Sequence, residues 1–150
     1  MDLILWRHAE AEDGSPDSER QLTAKGKDQA KRMGAWLRDK LPENTTILVS
    51  PAIRTQQTAS MLKTDFETVH EIAPGATVQD ILIAADWPNK KENEVVVIVG
   101  HQPTLGETIH HLIPDVPAGL KVKKSSVWWI KTDKNNGKPV LNTVMYADML

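Results

Sequence analysis

Glu94–Gly100 reads EVVVIVG, and its five consecutive β-branched residues constrain this chain more than any other segment. Such side chains are stiff and crowded in a helix and suit a strand. With no polar alternation, the strand must be covered on both faces, as at the centre of a parallel sheet. Around it, strand and helix signals alternate. Residues 2–7 (DLILWR) form a second apolar run and residues 45–50 (TTILVS) a third. Between those two, Thr23 caps a helix that runs to about Lys40, with Ala30, Met33, Trp36, Leu37 and Leu41 on one stripe and Pro42 closing it. Gly26 and Gly34 weaken that helix and are expected to let it sit close to the sheet. Ser50-Pro51 combine a cap with a first helical position and predict a helix to about Lys63. Residues 68–72 (TVHEI) read as a short strand, and Thr77 to Asp80 has capping-box spacing for a helix over 78–86. Leu105, Ile109 and Leu112 ride a further helix after Pro103, and two late strands near 126–132 and 139–146 flank the turn KNNGK. The expected fold is α/β: a single domain over residues 1–150, with a mostly parallel central sheet flanked by helices on both faces.

Composition narrows the function. The net charge of −2 over 150 residues gives no sign of a nucleic-acid-binding surface. The chain has no cysteine, which removes disulfides, thiolate metal sites and a cysteine nucleophile from consideration. MDLILWRH lacks the basic and long apolar regions of a secretory signal, and no apolar run reaches the length of a membrane span. A cytoplasmic protein without membrane association is expected, with a monomer favoured.

Chemistry collects where strands end. Arg7 and His8 leave the first strand, Arg54 lies one turn into the helix after Ser50, and His101 follows Gly100. Open α/β sheets bind ligands at the carboxyl edge of their strands. Two guanidinium forks, two imidazoles and nearby helix N-termini at that edge suit a doubly charged phosphoryl group, and a neutral imidazole can attack phosphorus.

The ordered set Arg7-His8, Ser50-Pro51-x-x-Arg54-Thr55, Gln57-Thr58-Ala59 and Gly100-His101 resembles the histidine phosphatase superfamily, the phosphoglycerate mutase-like enzymes. Arg20-Gln21-Leu22-Thr23-x-x-Gly26 and the short length look like its SixA-type phosphohistidine phosphatases. The resemblance implies roles. His8 would be the nucleophile that becomes a phosphohistidine, Arg7 and Arg54 would clamp the phosphoryl oxygens, and His101 would donate to them. Arg20 either reaches the phosphate or its rim, or is a solvated loop arginine. His8 must be neutral to attack, so its pKa is expected below the ~6.5 reference, with the guanidinium groups disfavouring its charged form.

Two departures matter. The family's Arg-His-Gly hallmark reads Arg7-His8-Ala9 here, and a left-handed backbone at Ala9 would cost about 1 kcal/mol. No sizeable lid fits between Glu71 and Glu94, and the proton donor is open between Glu71 and Asp17. A weak acid fits a nitrogen-linked phosphate, since imidazole is a far less basic leaving group than an alkoxide. An open rim fits a protein substrate. The expected function is hydrolysis of phosphohistidine on a protein, such as a phosphotransfer (HPt-type) domain or a sugar-uptake relay protein. The alternatives are a small-molecule phosphomonoester phosphatase of the same superfamily and a non-catalytic phosphoprotein-binding module. No metal and no cofactor is called for.

Other features have plainer readings. His110-His111 are adjacent on a helix and face different ways. His70 reads as a strand residue. Trp128-Trp129 lie on alternate faces of a strand, so one in the core and one partly exposed is expected. The basic stretch from Lys121 to Lys138 reads as a solvated edge, with contact to an acidic partner as the alternative.

Overall fold

The computed structural model describes residues 1–150. Six strands form one sheet: β1 (Asp2–Arg7), β2 (Thr45–Val49), β3 (Glu67–Thr68), β4 (Val95–Gly100), β5 (Val127–Thr132) and β6 (Pro139–Met145). Their order is β3-β2-β4-β1-β5-β6. The first four are parallel, while β5 runs antiparallel to β1 and β6 antiparallel to β5. All six residues of β4 are buried, as expected of a strand lying between β2 and β1.

Helices cover both faces, and the alternation of side chains along each strand decides what each face meets. Ile4, Trp6, Ile47, Val49, Val97 and Val99 pack with Met33 and Leu37 of α1 (Ala24–Lys40) and Ala59 of α2 (Ile53–Ser60). On the other face, Leu3, Leu5, Leu48, Val96 and Ile98 meet Ile81 of α3 (Val78–Ala84) and Leu105 and Ile109 of α4 (Thr104–Leu112). The caps form where their chemistry predicts. Thr23 accepts from the Gly26 N–H at 2.9 Å, and Thr77 and Asp80 close a reciprocal box.

Several expectations are corrected. The helix after β2 starts at Ile53 and ends at Ser60, because Ser50 is not its cap. Residues 68–72 form no full strand: β3 ends at Thr68, and His70–Ile72 make a 3₁₀ turn. Trp128 and Trp129 do lie on opposite faces, but both are buried. Trp36 meets Trp129 edge-on at 6.5 Å, and the Trp129 Nε1–H donates to the Asp2 carboxylate at 2.8 Å. Gly26 and Gly34 do permit close approach, though not to the sheet. A Cβ on Gly26 would collide with the Glu10 carbonyl, and one on Gly34 would sit 2.5 Å from the Met61 carbonyl oxygen. Their absent side chains hold α1 against the segment after His8 and the end of α2.

Candidate active site

Register brings three strand ends together. Arg7 at the end of β1 pairs with Gly100 at the end of β4, and Val49 at the end of β2 pairs with Val99. The next residue of each strand is therefore His8, His101 or Ser50, all at one edge. The His8 N–H donates to the Gly100 carbonyl at 3.1 Å, and its own carbonyl accepts from the Ser125 N–H at 3.1 Å. Ser125 holds a left-handed φ of 59° to make that contact, a conformation that costs a residue with a side chain about 1 kcal/mol.

His8 is buried, and its Nδ1 lies 2.7 Å from the Ala9 carbonyl oxygen. A carbonyl can only accept, so Nδ1 carries the ring proton and Nε2 keeps its lone pair. Burial lowers the His8 pKa from 6.5 to about 4, with Arg54, Arg7 and Arg20 adding to the shift and the Ala9 contact opposing it. The direction is the expected one, but burial outweighs the guanidinium groups as its cause. Ala9 itself is unstrained. The non-glycine residues with left-handed φ are Lys63, Asp86, Asn93 and Ser125, and the Ala9 N–H donates to Thr58 Oγ1 at 3.0 Å.

The His101 ring lies 5.4 Å from that of His8, tilted by 53°. Burial, then the neighbouring His8 and Arg54, push its pKa down to about 3. Its Nε2 is 2.7 Å from Ser50 Oγ, which already accepts from the Ala52 N–H at 3.3 Å. A Ser50 hydroxyl that donates to Nε2 leaves the His101 proton on Nδ1, whereas one that accepts from an Nε2–H leaves Nδ1 with its lone pair. Sequence reasoning missed this role for Ser50: its position before proline looked like a helix cap.

Arg7 and Arg54 complete the cluster. Arg7 donates from Nη1 to the Val122 carbonyl at 2.7 Å. Burial and the charge of Arg54 both lower its pKa. The buried Arg54 donates from Nη1 to the Asp17 carbonyl at 2.8 Å and from Nη2 to its carboxylate at 3.0 Å. Arg20 holds the other carboxylate oxygen of Asp17 at 3.1 Å and the Glu12 carbonyl at 2.6 Å. Hydrogen bonds from Arg20 and Arg54 keep the Asp17 carboxyl below its ordinary pKa, so it is ionised at neutral pH. Glu71 is exposed in the 3₁₀ turn after β3 and forms no hydrogen bond or ion pair with the four clustered residues.

Four buried side-chain nitrogens in the molecule lack a hydrogen-bond partner: Arg7 Nε, Arg54 Nε, His101 Nδ1 and Trp128 Nε1. Three of them belong to this cluster: the two arginine nitrogens carry protons, and His101 Nδ1 does so in the tautomer in which Ser50 donates to Nε2. Buried polar groups are rarely left unpaired, so three such donors beside one another mark a place for an acceptor-rich anion.

The model of the histidine phosphatase superfamily (branch 1) matches residues 3–77, half of the chain. This chain belongs to the histidine phosphatase superfamily. Phosphohistidine phosphatase SixA of Escherichia coli (strain K12) is 29% identical over 124 residues, covering 76% of this chain and 75% of its own. The structure of the protein histidine phosphatase SixA complexed with tungstate matches with a TM-score of 0.84 at 24% identity, covering 99% of both chains. A phosphoserine phosphatase mutant from Entamoeba histolytica in complex with phosphoserine matches with a TM-score of 0.77 at 17% identity, over 99% of this chain and 98% of its own. At these identities the two structural matches speak for the fold, and that fold is the one the superfamily motifs predict.

The rest of the surface has other roles. His110 Nδ1 lies 2.6 Å from the Val116 carbonyl oxygen, a contact that closes the end of α4. No three His, Asp or Glu side chains are grouped to hold a metal ion, and no helix is long and apolar enough to cross a membrane. A cleft of about 690 Å³ lies at the opposite end of the sheet beside Met1, Asp2 and Val95. Its lining mixes Lys40, Lys90, Lys131 and Lys134 with Asp2, Glu92 and Asp133, and Lys131 and Lys134 are paired with Asp2 and Glu92 at 3.7 and 3.4 Å.

Proposed function

We propose that this protein is a phosphohydrolase that removes phosphate from phosphohistidine on a protein, through a covalent intermediate on His8. The observation that carries the reading is the set of unpartnered donors on Arg7, Arg54 and His101 beside a histidine whose Nε2 keeps its lone pair. The similarity to SixA of Escherichia coli supports the choice of substrate.

In the first step His8 Nε2 attacks phosphorus, and the bond from phosphorus to the substrate nitrogen breaks. The substrate imidazole leaves with the electron pair of that bond, and Nδ1-protonated His8 now bears the phosphoryl group. In the second step water attacks phosphorus, the bond to His8 Nε2 breaks, and the water proton goes to solvent as inorganic phosphate departs. Arg7, Arg54 and His101 donate to the equatorial oxygens in both transition states, where fixed donors contribute most. His101 does so as a neutral N–H, oriented by Ser50.

Proton delivery favours the nitrogen-linked substrate. Asp17 is held ionised by two arginines and has no proton to give. An alkoxide leaving group needs such a donor, worth about 10²–10⁴-fold in rate, whereas an imidazole whose second nitrogen is protonated leaves neutral. We place the enzyme in the cytoplasm, where phosphotransfer relays operate.

The test is phosphate release from a histidine-phosphorylated HPt domain and from an aryl phosphate in parallel, with wild type and His8→Ala. Rapid release from the domain, lost in the variant, is expected. Faster turnover of the aryl ester would move the assignment to a small-molecule phosphatase. No turnover of either would leave a binding module.

A further inference from the structure

Beside the phosphoryl site lies a second feature that the chemistry above does not use. A cleft of about 390 Å³ has Arg7 in its wall and is lined by Lys25 from the first turn of α1 and by Lys121, Lys123 and Lys124 from the segment before β5. All four lysines are exposed, while Val122 between them is buried and its carbonyl accepts from Arg7. Alternation about that buried residue turns Lys121 and Lys123 outward on either side of the bond that fixes Arg7.

Their charge is largely unspent. Lys25, Lys121 and Lys123 form no ion pair, and Lys124 reaches Glu10 only at 4.0 Å. Lys123 lies 4.7 Å from the centre of the Tyr146 ring, a contact that positions the cation without neutralising it. Asp148 is the one carboxylate in the lining. A chain with a net charge of −2 thus concentrates four lysines next to the arginine that precedes its nucleophile.

We propose that this lysine cleft is the docking surface for acidic side chains flanking the phosphohistidine on the protein substrate. The proposal rests on the function given above. A protein fits better than a second acidic group of a small molecule, because a small-molecule site is built from a few fixed, convergent polar groups. Here the cations are exposed, flexible and spread over two elements, as on the rim of a protein interface. Rim charges of this kind speed encounter and set its salt dependence, and leave the chemical step alone.

The test uses the full chain and a histidine-phosphorylated HPt domain with acidic residues beside its histidine. Two variants are compared with wild type, K121E/K123E and K25E. Lys25 lies on a different element from Val122, so an effect of K25E cannot come from displacing Arg7, and glutamate suits the first turn of a helix. KM for the domain should rise at least tenfold in K121E/K123E and severalfold in K25E, with kcat within twofold. The fall of log(kcat/KM) with salt should flatten in both, and phosphoramidate hydrolysis should stay within twofold of wild type. An unchanged KM and salt slope with an active wild type overturns the docking surface alone. A parallel loss on phosphoramidate also overturns it, since the lysines would then serve the phosphoryl group itself. A wild type inactive on the domain removes the function reading, and the docking surface with it.

Discussion

Lowering the pH from 8 to 5 should cost this protein about 4 kcal/mol of stability, and the active-site histidines should account for most of it. In the unfolded chain both imidazoles titrate near 6.5, whereas in the fold His8 titrates at about 4 and His101 at about 3. The folded state therefore binds fewer protons throughout the interval below 6.5, and stability falls as the pH falls. At pH 5 each unfolded histidine is protonated and each folded one is not. The loss accumulates over the 1.5 pH units between 6.5 and 5 at about 1.4 kcal/mol per unit, roughly 2 kcal/mol for each residue. It continues to about pH 4 for His8 and about pH 3 for His101, then stops. A domain has only about 5–15 kcal/mol to lose, so the effect is large.

Urea unfolding at pH 8, 7, 6 and 5 measures it, with His8→Asn and His101→Asn as references that cancel every other titrating group. Each variant should lose about 2 kcal/mol less than wild type between pH 8 and pH 5. Asp17 does not intrude, because a carboxyl with a lowered pKa withdraws its stabilisation only below the ordinary carboxylate range. Equal pH dependence in wild type and both variants would falsify the burial of two neutral imidazoles. The same states predict an activity profile whose acid limb is not set by His8 above about pH 4.

Three further substitutions probe separate parts of the site. Ser50→Ala removes the hydroxyl 2.7 Å from His101 Nε2, and the loss of one buried hydrogen bond of about 1–2 kcal/mol should lower kcat about tenfold with little change in KM; an unchanged kcat would release Ser50 from that role. Asp17→Asn should lower kcat on phosphohistidine less than tenfold, because an ionised carboxylate is not the proton donor; a loss of two orders of magnitude or more would assign it that task. Gly26→Ala drives a Cβ into the Glu10 carbonyl, which also accepts from the Thr23 N–H at 3.0 Å, and should cost about 1–3 kcal/mol in urea unfolding. A midpoint at the wild-type value would show that α1 can shift freely against that segment.

Much of the fold was legible because its signals are local. Five β-branched residues in a row demanded a buried strand, and Thr23, Thr77 and Asp80 announced their helices by capping chemistry that acts within three residues. That Arg7, His8, Arg54 and His101 come together was legible through strand ends and motif order. The errors arose where distant partners intervened. Ser50 looked like a cap, but its hydroxyl serves a histidine 51 residues away. Asp17 read as a candidate proton donor, but Arg54, 37 residues on, claims its carboxylate, and no spacing rule links the two. One of Trp128 and Trp129 was expected to be partly exposed because the sequence does not reveal that Trp36 of α1 packs edge-on against Trp129. The carbonyl of Val122 that steadies Arg7 belongs to the backbone, and a backbone contact leaves no mark in residue types.

The site is also where the fold works against its own stability. Two guanidinium groups are held close enough for each to be felt by the same histidine, three side-chain nitrogens are buried without partners, and Ser125 holds a left-handed backbone. Each unpaired buried donor costs about 1–3 kcal/mol, comparable with the whole effect of a damaging core substitution. The arrangement persists because the strand ends that carry it are pinned from both sides. Trp6 and Val99 lie in register at the last full pair before the site, both without exposed surface, on the sheet face packed by α1 and α2. Relaxing the donors would mean moving those strands. On the function proposed above, a phosphoryl group would relieve them without any such movement, and most when its equatorial oxygens carry the charge of the transition state. The burial of the central strands and the convergence of Arg7, His8, Ser50 and His101 at their ends therefore follow from the same register of buried pairs.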